Sequence, residues 1–198
     1  MNDKDVLHSY LGVARESLAW KLEGLTEFEA RLPRTPTGTS LLGLLKHVAF
    51  VQAGYLGPVF GRPMPDGAPL ERADPHADLV ATAEESLGSV LADFGRSCEL
   101  ADATIADLPL DAKGLVPWWP EDRRHVTLHT VLIHVIAEIN RHAGQADILR
   151  EGIDGAAGLR AESSNLPENY DWPAYVARVR AIADLFEPSL GTPEPHQG

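Results

Sequence analysis

Only one cysteine, Cys98, occurs in the 198 residues, so neither an intrachain disulfide nor a multi-cysteine zinc site can form. That scarcity suits a reducing cytoplasm, and Cys98 falls in a helical pattern where a core position is expected. Basic clusters are equally scarce. Against 29 acidic residues stand 17 Lys and Arg, the net charge is -12, and the longest basic run is Arg123-Arg124. A chain of that sign repels a phosphate backbone, which argues against a nucleic-acid partner. No apolar run approaches the roughly 18 residues of a membrane span, and the first residues, Met1-Asn-Asp-Lys-Asp5, lack a signal-peptide pattern. Internal repeats and strand-like alternation are also missing.

What is present is helical periodicity. Leu7, Leu11, Ala14, Leu18, Leu22 and Leu25 recur at three- and four-residue steps, predicting a first helix to about Ala30, ended by Pro33 and Pro36. Thr39 or Ser40 is expected to cap a second helix reaching about Tyr55. A glycine- and proline-rich loop follows from Gly57 to Pro75. The stripe Leu79, Ala83, Leu87, Val90, Leu91, Phe94 and Cys98 predicts a third helix from about Asp78 to Ile105. After a loop from Leu108 to Arg124, Thr127 can cap a fourth helix ending near Glu151-Gly152. Asp171 can cap a short fifth one to Phe186, with Pro173 in its first turn. The expectation is an all-α four-helix bundle with crossover connections, one domain over 1–186, and a disordered tail over 187–198.

Chemistry concentrates on the fourth helix. Glu138 and His142 are four residues apart, and four steps advance a helix by only about 40° around its axis, so both side chains leave one face. His47 interrupts the apolar second helix. Burying such groups is costly unless something satisfies them, and a divalent cation can serve all three. Simpler partners remain open: His47 as a hydrogen-bonded core histidine, and Glu138 paired with Arg141 or Arg124. His134 continues the stripe, but it lies roughly 12 Å along the axis from His142, too far to share an ion, and is expected behind the ligands or in a pocket. His125 and His129 are expected at the surface. Trp118 and Trp119 are read as closing the bundle end or lining a pocket, and Gln52 and Tyr55 as pocket or boundary residues.

His47, the segment Glu138-Ile-Asn-Arg-His-Ala-Gly-Gln145 and the following Ala146-Asp-Ile-Leu-Arg-Glu151 together resemble the DinB/YfiT-like superfamily of metal-binding four-helix bundles. Val116-Pro-Trp-Trp119, Arg141-His-Ala-Gly144 and Ile153-Asp-Gly155 look like an actinobacterial-type branch of it, with similarity from about Lys4 to Gly158. The resemblance implies a divalent metal on His47, Glu138 and His142, a set similar to that of mycothiol-dependent maleylpyruvate isomerase. Zinc is the first expectation, nickel or manganese the next. Gln145 stands where relatives often carry histidine and His129 where they often carry arginine, two departures that leave the specificity of the pocket open.

The implied chemistry is S-transfer or isomerisation with mycothiol, bacillithiol or glutathione as cosubstrate, in a detoxifying, cytoplasmic enzyme that is a possible homodimer. Arg141 and Gln145 join Gln52, Tyr55, Trp118, Trp119 and His134 as pocket candidates, and no catalytic residue beyond the ligands is assigned. Competing expectations are a hydrolase with metal-bound water and a non-catalytic, metal-stabilised small-ligand-binding protein. Two histidines and a carboxylate also suit non-haem iron, which nothing else here favours.

Overall fold

The structure, a computed structural model, describes residues 2–67, 74, 76–164, 166–167 and 169–187. Helix α1, Asp3–Ala19, starts at a capping box in which Asn2 and Asp5 exchange side-chain-to-backbone hydrogen bonds, and it buries Leu11, Ala14 and Leu18. The expected single helix to Ala30 is instead broken in two. A 3-10 turn, Trp20–Leu22, leads to Gly24 at a φ of 74°, a left-handed conformation that ends helices. Thr26 and Glu29 then form a second capping box and start α2, Glu27–Arg31.

Ser40 caps α3, Leu41–Leu56, through the Gly43 amide. Its flanks are apolar on nearly every side because it packs on two neighbours, α4 (Leu87–Asp107) and α5 (Leu128–Asp154). Helix α5 also packs on α1, so first and last helices of the bundle are adjacent. Leu42, Leu45, Val48, Leu128, Leu132 and Val135 are fully buried where these faces meet. Each such side chain contributes about 1.5–3 kcal/mol by leaving water. None of the helices among the described residues is long and apolar enough to cross a membrane.

The third helix begins nine residues later than its stripe predicts. Carbonyl groups between Val80 and Glu85 are claimed by side chains rather than by a helical ladder. Lys46 donates to Val80 O at 2.8 Å, and Arg31 donates to the carbonyls of Ala81, Thr82 and Glu85. Ser86 then supplies the cap that starts α4. Asp78 consequently lies in a 3-10 turn, Ala77–Leu79, packed on α3.

A hairpin absent from the sequence expectation joins α4 to α5: β1, Lys113–Leu115, pairs antiparallel with β2, His125–Thr127, in the register Gly114 opposite Val126. Three-residue strands are too short to show alternation. Thr127 caps α5 as anticipated, and α5 continues past Glu151-Gly152 to Asp154, where Gly155 at a φ of 79° stops it.

By packing, the chain divides into two compact units, Met1–Asn165 and Leu166–Gly198, beside the sequence expectation of one domain over 1–186. The second unit contains α6, Trp172–Asp184, capped by Asp171 as expected and ending two residues before Phe186. Rings of Tyr170, Trp172 and Tyr175 pack on one another there. Of the expected tail, 188–198 lies outside the described residues, as do 68–73 and 75 of the Gly57–Pro75 loop.

One buried polar network links α1, α3 and α4. Arg15 donates from Nε to Gln52 at 2.6 Å and from Nη1 to Asp102 at 2.6 Å, while His8 Nε2 lies 2.9 Å from the same carboxylate. Burial alone would raise the Asp102 carboxyl, but the Arg15 and His8 hydrogen bonds and charges hold it below its ordinary 3.8. A depressed carboxylate stabilises the fold fully above the unfolded value and loses that contribution as pH falls through the folded one. Asp102→Asn should therefore lower stability at pH 6 by about 1 kcal/mol, a modest figure because the carboxylate is screened by solvent. In urea melts the difference from wild type should shrink as pH falls to about 3.

Candidate metal centre

Side chains from α3 and α5 meet at one point. His47, Glu138 and His142 each offer a ligand atom, and these atoms lie within 4.8 Å of one another, close enough to hold one metal ion. Glu138 Oε1 is 3.0 Å from His142 Nε2 and 3.7 Å from His47 Nε2. The two imidazoles pack edge to face with centroids 4.8 Å apart.

The other nitrogen of each ring is held from behind. Asp78 Oδ2 lies 2.8 Å from His47 Nδ1, and Gln145 Oε1 lies 2.7 Å from His142 Nδ1. Both oxygens accept hydrogen bonds, so each can take the Nδ1–H of its ring, and the Nε2 of each ring faces Glu138. Two ring nitrogens and a carboxylate oxygen thus converge on one point, where a single cation could be shared among them. Backing of this kind also orients imidazole ligands in known metal sites. The donor set thus fits a divalent ion.

Burial alone would raise the Glu138 carboxyl, yet the hydrogen bond with His142 and the neighbouring imidazoles of His142, His47 and His134 bring it below the ordinary carboxylate range. Glu138 is therefore ionised at neutral pH, as a ligand requires. His134 is pushed down by burial, against the opposing pull of Glu138, and is neutral there.

Asp78 was not legible as a functional residue, because a stripe beginning at Leu79 places it at a helix start. The signal that could have found it is Ser86-x-x-Ser89, a cap that leaves Asp78 in the preceding loop. Gly43, one turn before His47, lets the loop come close: a Cβ there would collide with the Leu79 carbonyl oxygen.

The remaining candidates separate into three groups. Gln145 supports His142, and His134 packs on Tyr55 and Trp119 at ring distances of 4.7 and 5.1 Å. Trp118 and Trp119 both donate indole N–H groups to the Tyr55 hydroxyl. Gln52 points elsewhere, fully buried between Arg15 and Ser97, with Cys98 Sγ at 3.4 Å, because the Arg15 guanidinium needs an acceptor there. Arg141 is exposed, Arg124 pairs with Glu121 rather than Glu138, and His125 and His129 are at the surface as expected. Half-buried Cys98 lies beside the core; burial pushes its thiol up.

Fold and site together define a helical bundle of the DinB/YfiT-like class, with three metal-competent donors on its second and last long helices. A family model described as mycothiol S-transferase matches residues 6–155, and the chain belongs to that family. Among solved structures, the crystal structure of the "conserved protein of locus" from Enterococcus faecalis superposes with a TM-score of 0.62. It covers 78% of this chain and 99% of the other at 19% identity, a likeness of fold alone. No curated protein matches.

Asp78→Ala should weaken zinc binding about 10–100-fold, the usual effect of removing a carboxylate behind a metal-bound histidine. Gly43→Ala should act in the same direction by pushing the Asp78 turn away. Competition with a chromophoric chelator reads both, and a circular dichroism melt confirms that the bundle is intact.

Proposed function

We propose that the protein is a metal-dependent transferase in which a low-molecular-weight thiol of the mycothiol type attacks an electrophilic small molecule. The family match supports the thiol, and the convergence of His47 Nε2, Glu138 Oε1 and His142 Nε2 carries the metal dependence. Zinc suits two imidazoles and a carboxylate, with nickel or manganese the next candidates. A divalent ion held by these three residues supplies a Lewis acid that favours thiolate over thiol near neutral pH.

The chain's own residues do the rest. Asp78 and Gln145 orient the two rings through their Nδ1 atoms and present both Nε2 atoms to the site. Glu138 contributes one negative charge, so the site retains net positive charge toward a thiolate when a divalent ion is bound. Tyr55, Trp118, Trp119 and His134 form an aromatic wall on the side of α5 one turn from Glu138, an apolar surface for the body of an electrophile. The single half-buried cysteine suits a cytoplasmic, reducing setting.

Tag-free wild-type protein should contain about one equivalent of metal by elemental analysis, and His47→Ala and Glu138→Ala should lose it. Zinc-loaded wild type should consume mycothiol with an electrophile, and both variants should fall to the uncatalysed rate. Turnover with thiol omitted would show a hydrolase instead. Unfolding on chelation, without turnover, would show a structural metal.

A further inference from the structure

Tyr55 lies two turns beyond His47 on α3, and its ring is 8% exposed. Its oxygen accepts the indole N–H of Trp118 at 3.1 Å and of Trp119 at 2.7 Å. Indole nitrogen can only donate, so the direction of both bonds is certain and both phenol lone pairs are engaged. The remaining polar function of the hydroxyl is its proton, for which no acceptor is found among the described residues. Accepting two N–H bonds also polarises the O–H bond and makes it a stronger donor.

The surroundings indicate what it would meet. Tyr55 packs against His134, which stands one turn before Glu138 on α5, about 6 Å along the axis. Trp119 closes over the same imidazole, and Trp118, 46% exposed, leaves the wall open to solvent. Such rings favour a flat apolar body. The hydroxyl adds one directed donor.

We propose that the Tyr55 hydroxyl donates a hydrogen bond to an acceptor oxygen of the electrophile, and that this site selects flat carbonyl-bearing electrophiles over purely alkyl ones. The assignment of the ligand to an electrophile rests on the transferase reading above. In conjugate addition to an enone, the carbon–sulfur bond forms at the β-carbon and the alkene pair shifts to lie between the α-carbon and the carbonyl carbon. The carbonyl pair moves onto oxygen, and the proton released by the thiol passes through solvent to the α-carbon. Charge develops on the oxygen that Tyr55 would contact, which is where a preset donor lowers the barrier. An alkyl halide develops its charge on the departing halide and gains nothing from that donor.

Acetophenone and ethylbenzene differ by the carbonyl oxygen and make a matched pair of probes. Both are titrated into tag-free full-length protein, metal-free and zinc-loaded, and followed by ¹H–¹⁵N NMR including the indole N–H signals. Wild type should bind acetophenone about 3–10-fold more tightly than ethylbenzene, the range expected for one added hydrogen bond. Tyr55→Phe should erase the preference and keep ethylbenzene affinity within about twofold, whereas Trp118→Phe, which leaves the hydroxyl in place, should retain a preference. Equal binding of the two probes, binding of neither, a preference that survives in Tyr55→Phe, or its loss in Trp118→Phe would overturn the proposal. Ketone binding needs neither thiol nor metal. Its failure therefore leaves the metal and mycothiol assays unaffected, and their failure leaves this result readable.

Discussion

Three ionisable side chains meet between α3 and α5, and such a meeting is tolerable only when every polar atom has a partner. His142 satisfies this through Gln145 and Glu138, whereas His47 has Asp78 on Nδ1 and its Nε2 stands 3.7 Å from Glu138, where a shared cation would complete it. Everything around the site serves that requirement. Gly43 permits the approach of the Asp78 turn, and Lys46 and Arg31 hold the carbonyls of the segment that carries it. The same interactions delay α4, so one stretch of backbone is diverted from helix to support a ligand.

A second polar cluster, Arg15 with Gln52, Asp102 and His8, lies between α1, α3 and α4 and is separate in purpose. Through Arg15 it ties α1 to α3 and α1 to α4, pairs that pack on one another less than α3 on α4 or α1 on α5. Lys21 makes a comparable clasp, fully buried with Ser17 O, Gly158 O and Asp147 as partners. Desolvation lowers its pKa despite the hydrogen bond it donates to Asp147. These clusters fix how the helices sit, and the candidate metal centre depends on that fixing because its donors come from different helices.

Much of the centre was legible in the chain. The four-residue spacing of Glu138 and His142 survives in the structure because a helix enforces it locally, and caps such as Ser40, Thr127 and Asp171 act where the sequence places them. The break after Ala19 was written in Gly24 and Thr26-x-x-Glu29 but was masked by a leucine stripe running across it. Asp78 was hidden for a similar reason: apolar spacing continued into a segment whose backbone partners come from side chains distant in sequence. The hydrogen bonds of Tyr55 could not be read either, since its two indole donors reach it through a hairpin with strands of three residues.

Local interactions determined the helices, their caps and the pairing of Glu138 with His142, because these depend on groups within one or two turns of each other. Tertiary structure alone decided that His47 would face that pair, that Asp78 would back the His47 ring, and that Gln52 would turn to Arg15 instead of the site. A hydrogen bond between distant segments is set by how helices pack, and packing is a property of the whole core.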